Sequence, residues 1–153
     1  MFKKILWATD FSSRAQDAGR WAMGCAECSK GRVDVVTVVA PDDLPTFLLD
    51  VPDPFVDDET VHEAERRLEA EHEARVRREL EDETRFLREA GVEVALHVRV
   101  GSPADEIIAA AKELGSDVVV IGSHGKRSLE ELLMGSTVEQ VTKRAVCPVL
   151  VVR

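Results

Sequence analysis

Residues 121–137 read IGSHGKRSLEELLMGST and continue directly from the aliphatic run of residues 117–121, DVVVI. Gly122, Gly125 and Gly135 are spaced so that two backbone turns face one another across nine intervening residues. Without a Cβ, Gly122 and Gly125 let the chain turn sharply after a strand and let a ligand approach the bare backbone. Gly135, Ser136 and Thr137 then open a helix, where free N–H groups and the positive end of the dipole favour an anion and two hydroxyls add neutral donors. The segment is a strand, a loop and a helix start arranged as a phosphate cradle. Neither the Walker A spacing nor G-x-G-x-x-G is present, so any nucleotide is held by another design.

On either side of this segment, strands and helices alternate. Lys4 to Thr9 is a short β-like run, and Ser12 and Ser13 offer N-caps, Gln16 completing a capping box with Ser13. A helix over 13–29 follows, with Ala15, Ala18, Ala22, Cys25 and Ala26 at helical spacing and Gly31 at the expected stop. Residues 33–40, VDVVTVVA, form a second strand whose near-continuous apolarity predicts burial on both faces. Residues 60–90 predict a charged helix, and residues 92–100 a third strand. Ser102 and Pro103 start the next helix, with Asp105 reaching back in capping-box fashion. Residues 136–144 predict a last helix, and Pro148–Val152 a fifth strand. Such alternation implies right-handed crossovers and a parallel sheet covered by helices on both faces, with a ligand crevice at the carboxyl ends of the strands.

Within the 60–90 helix, Glu63 and Arg67, Glu71 and Arg75, Glu73 and Arg77, and Glu81 and Arg85 stand at i,i+4 in the favourable order, which reads as a solvated face. Residues 41–59 form a proline-rich acidic loop that also carries Phe47, Leu48, Leu49, Val51, Phe55 and Val56, more apolar surface than a linker needs.

A chain of 153 residues is about one domain, 1–153, and its hydrophobic fraction of 44% supports a substantial core. The formal net charge of -9 argues against general nucleic-acid binding, which needs a basic face. The N-terminal apolar run ends at Asp10 without a signal-peptide pattern, no stretch is long enough for a membrane span, and three cysteines supply no disulfide framework. A cytoplasmic location is expected. Cys25 and Cys28 stand in C-x-x-C spacing near a helix C-terminus, where the dipole raises a thiol pKa, so they read as structural and not as a redox pair or half a zinc site. His62, His72 and His97 read as surface or packing residues, and Trp7 and Trp21 as core or interface residues.

With these pieces assembled, the chain resembles the nucleotide-binding branch of the universal stress protein family over nearly its whole length. The residues that carry the resemblance are KKILWATDFS at the start, GSPADEI at 101–107, the signature Gly122-x-x-Gly125-x9-Gly135-Ser136, and the closing CPVLVV. The resemblance implies a single-domain, doubly wound, adenine nucleotide alpha hydrolase-like α/β fold with sheet order 3-2-1-4-5. It also implies an adenine-nucleotide site lined by Ala8, Thr9, Asp10, Val38, Ile121, Gly122, His124, Gly125, Gly135, Ser136 and Thr137. Asp10 matches the acidic residue near the ribose or a metal-bound water, with Mg close by. Val38 matches the position whose backbone groups read the adenine edge. The implied ligand is ATP, with AMP or ADP as alternatives, and Lys126 and Arg127 could add positive charge.

Two departures from the family pattern stand out. Ala8 replaces a frequent proline, which leaves the turn before Asp10 less rigid, and the acidic loop would repel a triphosphate if it hung over the site. The family also implies that strand five pairs with its own copy in a two-fold homodimer, which would protect an otherwise open sheet edge. The leading expectation is an ATP-binding stress-response or signalling dimer. Alternatives are a slow ATPase using Asp10 or His124, and a nucleotide-free dimeric interaction module.

Overall fold

A computed structural model describes residues 2–40, 58–125 and 134–153. The 41–57 part of the acidic loop, together with Lys126 and Arg127, lies outside the described residues. The elements run β1 (Lys4–Ala8), α1 (Ser13–Ser29), β2 (Arg32–Val39), α2 (Asp58–Glu83), α3 (Arg85–Glu89), β3 (Glu93–Val100), α4 (Pro103–Leu114), β4 (Val118–Gly122), α5 (Ser136–Arg144) and β5 (Val149–Val152). All four strand pairs are parallel, in the order β3-β2-β1-β4-β5. This is the order that the family resemblance implies and the parallel, two-faced layering that the alternation of elements implies.

The sheet separates two apolar layers because successive side chains of a strand point to opposite faces. Ile5, Trp7, Val33 and Val35 pack with Ala18, Ala22 and Ala26 of α1, Leu80 of α2 and Leu87 of α3. On the other face, Leu6, Ala8, Val36, Val119 and Ile121 pack with Ala104, Ile107, Ala110 and Ala111 of α4 and Val138 and Val141 of α5. Trp7 is fully buried, so its indole N–H must find an acceptor. It donates to the Ala15 carbonyl at 2.9 Å, and the ring meets Phe86 edge-on at 6.1 Å. A Cβ on Gly19 would stand 2.5 Å from that ring, so α1 reaches the sheet only because residue 19 has no side chain. β2 is buried on both faces as predicted, and even Asp34 is enclosed, its carboxylate meeting Arg32 Nε and His97 Nε2, each at 3.1 Å.

Several local expectations change. Ser12, not Ser13, caps α1, its hydroxyl accepting from Ala15 N at 3.3 Å. Lys30 takes the left-handed conformation that ends the helix (φ 52°), while Gly31 is where it is because a Cβ would stand 2.7 Å from the Lys3 carbonyl. Ser102 caps α4 without a side-chain bond to the backbone; Arg144, 2.8 Å from the Asp105 carboxylate, and after it the Ser102 hydroxyl hold that carboxyl below its usual value. The single helix expected over 60–90 is two helices broken at Thr84, a fully buried residue whose hydroxyl donates back to the Leu80 carbonyl at 2.8 Å.

That break positions the site. Both Glu83 oxygens accept from Thr9 Oγ1, at 2.9 and 3.1 Å, so the last residue of α2 lies level with the carboxyl end of β1. α3 and Leu87 complete the return to β3. The preceding turns of α2 therefore rise beyond the carboxyl edge of the sheet, alongside the crevice.

Candidate functional site

At the carboxyl edge of β1, β2 and β4 the chain encloses a cavity of about 770 Å³, a size in the range of small-molecule sites. Ala8, Thr9, Asp10, Val38, Ile121, Gly122, His124, Gly125, Gly135, Ser136 and Thr137 all line it. These eleven positions selected from the sequence thus line one space.

The β1 turn is fixed by its own polar groups. Thr9 N donates to the Val36 carbonyl at 3.0 Å, Thr9 Oγ1 accepts from Phe11 N at 3.0 Å, and Asp10 Oδ1 accepts from Ser12 N at 3.1 Å. Phe11 adopts a left-handed backbone (φ 64°), which a non-glycine residue holds only where its surroundings impose it. Together with the Thr9–Glu83 contact, these bonds supply the rigidity that a proline at position 8 would have given.

The two halves of the glycine signature are in contact. Gly135 N donates to the Ser123 carbonyl at 3.0 Å. Gly135 is the N-cap of α5 and brings no capping side chain, so the leading N–H groups of that helix receive no acceptor from their own cap residue. The three glycines have different reasons to be glycine. A Cβ at Gly125 would stand 2.5 Å from Asp10 Oδ2, so the loop passes directly over the carboxylate. At Gly135 a Cβ would meet only ordinary contacts at 3.6 Å, so that position stays open towards the cavity. Gly122 is different from the expectation of a ligand approaching bare backbone. Its missing Cβ makes room for the first turn of α1, with Arg14 C at 2.7 Å and Arg14 O at 2.8 Å. It is primarily a helix-packing glycine, although it also lines the cavity.

His124 lies between the glycines with both ring nitrogens buried and without a hydrogen-bond partner among the described residues. Such nitrogens cost free energy unless something bonds them, which makes His124 the polar group in the wall best suited to a ligand.

Apolar side chains, among them Val36, Val39, Ile107 and Val138, line the space between these polar ends. An aromatic ring would be held there by burial, with an anion at the α5 end. The fourth wall comes from α2. His72, Arg75, Val76 and Glu79 line the cavity, so His72 is not merely a surface residue and this stretch of α2 is not only a solvated face. The 3- and 4-residue spacing of 72, 75, 76 and 79 gave the signal for a common face, but nothing local says what that face looks upon.

Burial, and after it the neighbouring Cys28, push the Cys25 thiol up from its ordinary value. Among the described residues no group of three His, Cys, Asp or Glu is placed to hold a metal ion, and no helix is long and apolar enough to cross a membrane.

The sequence model of the universal stress protein family matches residues 1–153. The chain belongs to the universal stress protein family. Universal stress protein MJ0577 of Methanocaldococcus jannaschii is 32% identical over 158 residues, spanning 100% of this chain and 96% of that protein. The solved structure of MJ0577 superposes with a TM-score of 0.81 over 99% of this chain and 96% of that one. Universal stress protein YxiE of Bacillus subtilis is 32% identical over the full length of both chains. The same fold occurs in an Archaeoglobus fulgidus universal stress protein solved in complex with dAMP, at 22% identity and a TM-score of 0.63 over 100% of this chain and 98% of that one. Another universal stress protein, solved in complex with cAMP, has 20% identity and a TM-score of 0.65, with 99% and 97% covered.

Proposed function

We propose that this universal stress protein binds an adenine nucleotide, ATP in the first instance, in the crevice at the carboxyl edge of the sheet, and acts as a stress-response or signalling dimer. The observation that carries the proposal is the convergence of all eleven sequence-selected residues on one cavity of about 770 Å³. Members of the same fold solved with dAMP and cAMP support the ligand class.

In this assignment the base lies against Val38 and Ile121, Asp10 faces the ribose, and the phosphates meet His124, Gly125 and the N–H groups opening α5 at Gly135, Ser136 and Thr137. The residues fit such a group: an apolar slot, a helix start whose N-cap glycine offers no side chain and a histidine whose ring nitrogens have no partner among the described residues adjoin. Any Mg would be held mainly by the phosphates, with Asp10 as the protein's contribution. The dimer would form through the exposed edge of β5, extending the sheet across a two-fold axis.

Mass spectrometry of small molecules released from the denatured protein tests the ligand without a prior guess. Titration calorimetry with ATP and Mg then compares wild type with Gly135→Val, which fills the open position beside His124. The variant is expected to lose at least about tenfold in affinity, since it blocks groups whose charged hydrogen bonds are each worth about 1.5–3 kcal/mol. Equal heats from both proteins reject the site.

A further inference from the structure

Four Glu–Arg pairs at i,i+4 spacing run along the 60–90 segment, and the structure treats them differently. Glu63–Arg67 and Glu73–Arg77 form, at 2.6 and 4.0 Å. Arg85 turns to Asp82 instead of Glu81. Arg75 pairs with no carboxylate among the described residues: its Nη2 lies 3.0 Å from His72 Nδ1. A guanidinium only donates, so in this contact Nδ1 is the acceptor. The charge of Arg75 is therefore oriented by His72 but not neutralised by it.

Arg75 also lines the crevice, and it is the only Lys or Arg among the described lining residues. Residues 72, 75, 79 and 83 form one stripe at helical spacing. Glu83 anchors its lower end on Thr9, and Arg75 stands two turns above, about 12 Å along the helix axis. The start of α5, His124, Asp10 and Glu79 line the same cavity, the last two contributing carboxylates. Among the described residues, an anion entering this space meets one side chain of permanent positive charge, and no carboxylate is paired with it there.

We propose that Arg75 binds the phosphate chain of the nucleotide, with His72 as its positioning residue, so that α2 is a working wall of the site. This rests on the adenine-nucleotide reading above. Adenine and ribose carry no charge near neutral pH, so the phosphate chain is the part of such a ligand that supplies the missing anion. The planar fork of a guanidinium matches phosphate oxygens two at a time.

The test is calorimetric titration of adenosine, AMP, ADP and ATP into wild type, Arg75→Gln, His72→Gln and His72→Leu. Arg75→Gln is expected to weaken ATP by about ten- to a hundredfold, the range for a lost charged contact, and adenosine by no more than about twofold. Its ATP affinity should also fall less steeply with added salt. His72→Gln, which keeps an acceptor for the guanidinium, should stay near wild type, while His72→Leu should move towards Arg75→Gln. Because Arg75 is exposed on a helix and Gln is a good helix former, melting temperatures should agree within about a degree or two. If Gln nevertheless perturbs the fold, the salt dependence of wild type against Arg75→Lys gives the answer: a smaller ATP affinity with the salt slope retained supports the forked contact, and unchanged affinity overturns it. Equal ATP affinity in wild type and Arg75→Gln, or an equal loss for adenosine and ATP, overturns the role of Arg75 while leaving the nucleotide reading intact. Wild type binding none of the four compounds overturns both.

Discussion

Gly122→Ala separates what a glycine does for the fold from what it does for a ligand. The added methyl would stand 2.7 Å from Arg14 C, 2.8 Å from Arg14 O and 2.9 Å from Ala15 N, all backbone atoms. That turn cannot retreat easily, because the Ala15 carbonyl receives the buried Trp7 indole N–H at 2.9 Å and Ala15 N is capped by Ser12. Overpacking of this kind costs about 1–3 kcal/mol, and the lower entropy of the unfolded alanine chain returns about 0.4–1 kcal/mol. A net loss of about 1–2 kcal/mol follows, which for a domain of this size lowers Tm by about 2–8 °C. Gly135→Ala meets only contacts at 3.6 Å at an ordinary φ of -61°, so its cost is limited to a poorer N-cap, below about 1 kcal/mol. Thermal and urea denaturation followed by circular dichroism, on ligand-free protein, measures both. A Gly122→Ala protein as stable as wild type would show that α1 shifts freely, and the assignment of Gly122 to helix packing would be wrong.

Three further outcomes are expected. Thr9→Val removes a donor that both Glu83 oxygens accept from, at a cost of about 0.5–1.5 kcal/mol, or up to about 3 for a bond to a charged group; hydrogen exchange should quicken in the last turns of α2, and unchanged exchange there would dissociate Thr9 from the helix. Asp117 accepts from the backbone N–H groups of Lys4 and Lys3, at 2.9 and 2.7 Å, which lowers its pKa from 3.8. A lowered folded-state pKa contributes stability above the unfolded value that disappears as pH falls through the folded one, so Asp117→Asn should flatten the loss of Tm below about pH 4, and an unaltered acid limb would contradict it. Limiting alkylation near pH 8 should label exposed Cys28 before Cys25, whose raised pKa leaves less thiolate; peptide mass spectrometry showing Cys25 labelled first would refute that order.

Much of the crevice was legible in the chain because its parts are local. A strand running into Gly122 and Gly125, a helix opening at Gly135, and Asp10 after β1 each announce themselves within a few residues, and the 3-2-1-4-5 order follows from the family resemblance. Less legible was which cap each terminus uses. Lys30 takes the left-handed position because Gly31 is committed to the close approach of Lys3, a contact formed between segments 28 residues apart. The break at Thr84 was hidden for a related reason: periodicity records an amphipathic stripe on both sides of it, not the burial that bends the chain there.

By itself the sequence determined the alternation of strands and helices, the two apolar layers and the set of backbone groups offered to an anion, because periodicity, capping chemistry and missing side chains are properties of neighbouring residues. Tertiary structure alone decided that Gly122 serves α1, that Thr9 holds Glu83, and that the stripe of His72, Arg75 and Glu79 lines the crevice. An i,i+4 pair written along a helix states which charges can meet, but where that helix lies against the sheet determines which of them are free to meet something else.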